Sequence, residues 1–173
     1  MRTLTTPIDQ ATIDSLQAGD SVLLSGEIYT ARDAAHLRMV TALQDATPAP
    51  FDYAGNAVFY AGPSATPPGK AIGSIGPTTA GRMDTYAPTL MHQAGLKIMI
   101  AKGERSSEVI EAIKQTKGIY FIAVAGAAAL MSQRVKSAEV IAYSDLGTEA
   151  VRRLVVEDFP LIVGVDTHGN SVY

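Results

Sequence analysis

The chain alternates between dense apolar runs and segments in which apolar residues recur every three or four positions. Residues 21–29 (SVLLSGEIY) form the first such run and predict a strand. Ala34, Leu37, Met39, Val40 and Leu43 then supply the spaced apolar positions of a helix over residues 31–43, with Thr30 as its expected N-cap. Residues 47–50 carry two prolines and end it. A short buried strand is predicted at 57–60, a helix at 82–93 with Gly95 just past its end, and a buried strand at 96–101. Ser106 and Ser107 are candidate caps for a helix reaching about residue 116. Further strands are expected at 119–124, 139–143 and 161–165, and a short helix at 127–135. Residues 1–20 are polar and mixed and predict an edge strand and a turn. Strands alternating with helices indicate an α/β fold with a mixed, largely parallel sheet whose faces are covered.

One stretch breaks this rhythm. Residues 62–81 hold five glycines and four prolines, which excludes a regular helix. A loop of this length is uncommon in a compact domain and is more often functional than idle.

Composition narrows the function. The 173 residues, 47% of them hydrophobic and 18% charged, suffice for one domain, 1–173, with its own core. A net charge of −3 with no long basic run argues against nucleic acid or an anionic membrane as partner. No apolar run approaches the roughly 20 residues that span a bilayer. Residues 1–20 contain Asp9, Asp14 and Asp20 and no apolar leader region, so a cytoplasmic location is expected. Cysteine is absent, which excludes disulfides, thiolate zinc and an iron–sulfur cluster held by this chain.

Common catalytic motifs do not occur. Gly69-Lys70 is followed by Ala71, so a phosphate loop lacks its hydroxyl. Ser74 lacks the glycine two positions before it that a nucleophile elbow needs. His36, His92 and His168 have no metal-ligand spacing, and residues 166–170 read as a tight turn. What remains is a set of cations near hydroxyls and glycines: Arg32 after the first long strand, Arg82 at the end of G-P-T-T-A-G-R with Thr78 inside it, and Lys102 after the strand at 96–101. Ligands of open α/β sheets gather at the carboxyl ends of strands, and guanidinium forks match carboxylates. The set therefore suits a small dicarboxylate, although each cation taken singly also fits a solvated surface position.

The segment G-P-T-T-A-G-R-M-D (76–84) resembles the β subunit, or C-terminal domain, of class I fumarases and L-tartrate dehydratases. So do residues 19–36 (GDSVLLSGEIYTARDAAH), 60–63 (YAGP), 101–103 (AKG) and blocks within 125–163, in the same order. The resemblance implies a swivelling β/β/α domain of an iron–sulfur hydro-lyase that removes water from a hydroxy-dicarboxylate. It implies a 4Fe–4S cluster carried by a Cys-containing α subunit, in an α2β2 assembly, with one iron acting as Lewis acid. It also implies that Arg32, Arg82 and Lys102 bind the carboxylates and stabilise charge in the transition state. Thr78 would transfer a proton or only position the substrate, opposite an Asp of the partner. Asp84 is expected to pair with a neighbouring Arg or to cap a helix. L-malate dehydration leads; L-tartrate dehydration and a non-catalytic anion-binding role are the alternatives.

Overall fold

The computed structural model describes residues 1–64, 66–123 and 131–173. Its first strand, β1 (Arg2–Thr5), lies parallel beside β2 (Ser21–Thr30) at the sheet edge. Between them is a helix that the sequence pattern did not suggest, α1 (Gln10–Ser15). It is a single turn and a half, too short for periodicity to show. It holds because the Asp9 carboxylate accepts the Thr12 N–H at 2.8 Å and Ile13 is buried beneath it.

The chain continues through α2 (Asp33–Gln44), β3 (Ala57–Phe59), a 3-10 turn (Ala80–Met83), α3 (Ala87–Ala94), β4 (Ile98–Ala101), α4 (Ser107–Thr116) and β5 (Ile119–Ile122). It ends with β6 (Val135–Ala142), a second 3-10 segment (Ser144–Glu149) and β7 (Val151–Val165). The seven strands form one sheet in the order β1-β2-β3-β4-β5-β7-β6. Pairings from β1 to β5 are parallel, as expected. The difference lies in β7, which runs for 15 residues and pairs antiparallel with β2, β5 and β6. Because β7 joins both β2 and β5, the strands β2-β3-β4-β5-β7 close into a ring.

Several boundaries move for identifiable reasons. Thr30 is the last residue of β2, not a cap: its hydroxyl accepts the Arg152 N–H at 3.1 Å, and Arg32 occupies the N-cap position of α2. The helix expected at 82–93 splits into the 3-10 turn and α3, which begins around Pro88. Gly95 ends α3 in the left-handed conformation, φ 75°, as foreseen. The strand expected at 161–165 is only the tail of β7. Its sequence is interrupted by Asp158, whose φ of 52° and N–H bond to Ser25 Oγ mark an irregularity that the ladder with β2 absorbs. Residues 127–130 of the helix expected at 127–135 lie outside the described residues. Met131 and Ser132 are helical, but Val135 already begins β6, which starts earlier than the expected 139.

Alternating side chains of the strands feed two cores. Leu24, Ile28, Phe59, Ile98, Ile100, Phe121, Leu154 and Phe159 pack together on one face. Tyr29, Val58, Tyr60, Met99 and Tyr120 point the other way, against Met39 of α2, Leu90 of α3 and Val109 of α4. Burial on both faces is why these strands read as unbroken apolar runs. The parallel ladder continues past the strand ends: Ala31 N–H reaches Phe59 O at 3.0 Å, and Tyr60 N–H reaches Ile100 O at 2.8 Å. The residues that follow β2, β3 and β4 therefore emerge side by side.

Candidate functional site

Arg32 follows β2 and precedes the first turn of α2. Its neighbour Asp33 links it to the Gly/Pro-rich loop, accepting from Arg82 Nε at 3.1 Å through Oδ1 and standing 3.9 Å from Arg32 Nε through Oδ2. Arg32 Nε and Asp33 Oδ2 are both buried without a hydrogen-bond partner. Arg82 uses Nε for its bond and is about half exposed, at 53%. Asp33 thus gathers two cations from segments far apart in sequence. Gly62, just after β3, makes room for Arg32. A Cβ there would lie 2.8 Å from Thr148 O and 3.1 Å from Arg32 Cδ, so only glycine lets the Arg32 side chain lie this close to the backbone.

Thr78 and Lys102 form a second pair, joined through their backbones. Lys102 N–H donates to Thr78 O at 3.3 Å, Thr78 N–H donates to Tyr60 O at 2.6 Å, and Ala80 N–H returns to Lys102 O at 2.8 Å. These bonds attach the loop as an extra rung beyond β3 and β4. Both residues are half-buried, and no carboxylate among the described residues pairs with Lys102. Gly103, at φ 87°, turns the chain sharply after it. A cleft of about 480 Å³ lies elsewhere, between Lys70, Ile72 and Ser74 of the loop and Gln133. None of Arg32, Thr78, Arg82 and Lys102 lines it.

Next to the Thr78–Lys102 rung, and joined to it through Tyr60, lies a polar cluster of which only Asp84 was anticipated. Asp84 pairs with an Arg, the first of its two expected roles: Oδ1 accepts from Arg105 Nε at 2.9 Å; in place of capping a helix itself, it accepts through Oδ2 the N–H of Ser106, whose own hydroxyl caps α4, at 2.7 Å. Arg105 is 3% exposed and lies over the rings of Tyr60 and Tyr120, 5.2 and 4.9 Å from their centroids. Burial works against its charge, but the Tyr60 phenol and the Asp84 carboxylate more than offset this and hold its pKa above the ordinary value. Burial likewise raises Tyr60 and Tyr120. The sequence signal for Arg105 was slight, a cation four residues from a strand end and next to a helix cap.

His36 is also fully buried, edge-on to Tyr60 at 4.9 Å between ring centroids, and its Nδ1 donates to Arg32 O at 2.9 Å. Burial lowers its pKa from 6.5 to about 4, although the bond to Arg32 O pulls the other way. The unfolded chain therefore binds the proton more readily. Stability from neutral His36 is complete above pH 6.5 and falls as the pH drops toward about 4. The loss should reach about 3 kcal/mol. Urea unfolding of wild type and His36→Phe across this window should show a shallower acid-side decline in the variant; parallel profiles would disprove the assignment.

The fold and these side chains define a mixed α/β domain that presents cations and a hydroxyl at the ends of parallel strands. A family model described as Fumarase C-terminus matches residues 2–173, and the chain belongs to that family. It is 39% identical over 170 residues to fumarate hydratase 2 of Leishmania major, covering 96% of this chain and 30% of that protein. It is 42% identical over 151 residues to the aerobic class I fumarate hydratase of Escherichia coli K12, covering 87% of this chain and 28% of that protein. Against the L(+)-tartrate dehydratase subunit beta of the same strain it is 34% identical over 173 residues, 98% of this chain and 85% of the relative. The chain thus spans under a third of the fumarate hydratases it matches.

Proposed function

We propose that residues 1–173 act as one domain, the β subunit or C-terminal part of a hydro-lyase that interconverts L-malate with fumarate and water. The observation that carries this is the meeting of Arg32 and Arg82, through Asp33, beside the Thr78–Lys102 rung in a chain of the Fumarase C-terminus family. The two guanidinium groups bind the carboxylates of the substrate, and Lys102 opposes the extra negative charge that builds on one carboxylate as the carbon-bound proton leaves. Thr78 lies on the rung with Lys102. A free hydroxyl is a weak base, so Thr78 either positions the substrate or transfers a proton with Lys102 lowering the cost.

The residues present do not fit an iron–sulfur cluster. The chain has no cysteine, and among the described residues no group of three or more His, Asp or Glu side chains gathers to hold a metal. We assign the cluster to a Cys-bearing α partner, in an α2β2 assembly. The ring of strands with α2, α3 and α4 packed on one face supports a β/β/α layering, and we take the domain to swivel so as to close on that partner. No helix among the described residues is long and apolar enough to cross a membrane, and we place the assembly in the cytoplasm.

L-tartrate dehydration is a second reading, favoured by the relative whose length this chain nearly covers. The test is anaerobic co-expression with a Cys-bearing partner, followed by fumarate absorbance on adding L-malate and oxaloacetate release from L-tartrate. Malate turnover by the pair, and by neither chain alone, is expected. Turnover of tartrate only would transfer the assignment to that substrate. Turnover of neither by a complex with an intact cluster would leave the anion-binding role.

A smaller prediction concerns Asp33. Asp33→Ala releases the bond to Arg82 Nε and frees that side chain to wander. KM for the dicarboxylate should rise about 3- to 10-fold with a smaller change in kcat, since uniform binding is what is lost. An unchanged KM would show that Asp33 does not organise the pair.

A further inference from the structure

We propose that Arg105 is a positioning residue that fixes Thr78 and Lys102 in register while never touching substrate; this rests on the hydro-lyase reading above. Its guanidinium is buried below the site, donating to Asp84 Oδ1 at 2.9 Å, to Tyr60 Oη at 3.2 Å and to Met99 Sδ at 3.6 Å. The groups it touches are the ones that hold the two site residues. Tyr60 O accepts the Thr78 N–H at 2.6 Å. Tyr120, the second ring over which Arg105 lies, donates its hydroxyl to the carbonyl of Gly103, next to Lys102, at 2.8 Å. Asp84 closes the loop that carries Thr78 and Arg82, and its other oxygen holds Ser106 at 2.7 Å, fixing the turn that leaves Lys102.

Packing alone does not require such a group. A buried ion pair is often replaceable by apolar side chains without loss of stability, so its presence here points to geometry. Arginine has five donors in a rigid plane, which allows one side chain to set the angle between a carboxylate, a phenol and two rings. Lysine in the same place offers a point charge and cannot set that angle. Small displacements of reacting groups are costly: about 1 Å lowers rate on the order of 100-fold.

The test uses the purified complex with its Cys-bearing partner and the variants Arg105→Lys, Lys102→Met and both together. Arg105→Lys should lower kcat for L-malate about 10- to 100-fold with KM changed less than about 3-fold. In the Lys102→Met background the same change should cost clearly less than in wild type, because one of the two positioned groups is gone and only Thr78 is left to misplace. Effects that multiply would overturn the proposal, as would kcat within about 2-fold of wild type. Hydrogen exchange supplies a readout that needs no turnover. Segments containing Thr78, Ala80 and Lys102 should exchange at least about 10-fold faster in Arg105→Lys, with segments of β3 and β5 unchanged. Unchanged or uniformly faster exchange would overturn positioning even if the complex turned over neither malate nor tartrate, which by itself counts only against the hydro-lyase reading. If Arg105→Lys does not fold, Tyr60→Phe removes a single phenol oxygen. It should lower kcat about 3- to 10-fold and quicken exchange at Thr78; wild-type values of both would overturn the proposal.

Discussion

Replacing Lys102 with Met is expected to lower L-malate turnover by the assembled enzyme about 100- to 1000-fold while leaving its melting temperature within about 2 °C of wild type. The two halves of this expectation have separate causes. Lys102 holds its place through the backbone, with its N–H on Thr78 O and its carbonyl on Ala80 N–H, and methionine keeps both bonds. No carboxylate among the described residues pairs with the ammonium, so its removal strands no partner. The half-buried stem is replaced by one of similar length and apolar character. What disappears is a positive charge beside the position where a carboxylate gains electron density, and loss of one such group typically costs two to three orders of magnitude. Steady-state kinetics together with differential scanning calorimetry of the complex decide it. Near-normal kcat would remove Lys102 from the chemistry. A large fall in melting temperature would show instead that the ammonium supports the fold.

The elements that were legible in the sequence are those whose pattern is local. Residues 98–101 and 119–122 are apolar without interruption because both faces are covered, and the helix after Ser106 carries its own cap. Arg32, Thr78, Arg82 and Lys102 stood out because each follows a strand or lies in the Gly/Pro-rich loop. The sheet order brings the strands before Arg32, Tyr60 and Lys102 side by side. Long-range partnership was not legible. The length of β7 depends on ladders with β2, β5 and β6, and no window of its own sequence shows them, least of all across Asp158 and Pro160. Thr30 looked like a cap because threonine favours that position, but pairing with the distant Arg152 kept it in the strand. Arg105 was passed over for the same reason. An arginine after a strand reads as exposed, and only the convergence of Tyr60, Asp84 and Tyr120 from three other segments makes its burial tolerable.

That dependence gives the largest expected effect on stability. Asp84→Ala removes the carboxylate from a guanidinium whose side chain is 0% exposed, leaving a buried charge with only the Tyr60 hydroxyl and the Met99 sulfur as acceptors among the described residues. Breaking a buried pair from one side costs about 3–5 kcal/mol, far more than the pair's net contribution, because the surviving ion cannot regain its water. The same change strips the acceptor from Ser106 N–H at the start of α4. For a domain of this size the melting temperature should fall by about 6–20 °C. Asp84→Asn keeps an oxygen acceptor and should fall by less. The double variant Asp84→Ala with Arg105→Met removes the stranded charge and should be more stable than Asp84→Ala alone, which is the signature of coupling between the two groups. Thermal unfolding of the four proteins tests this order. A melting temperature for Asp84→Ala within about 2 °C of wild type would mean that water reaches Arg105 and that the cluster under the site is not the closed unit described above.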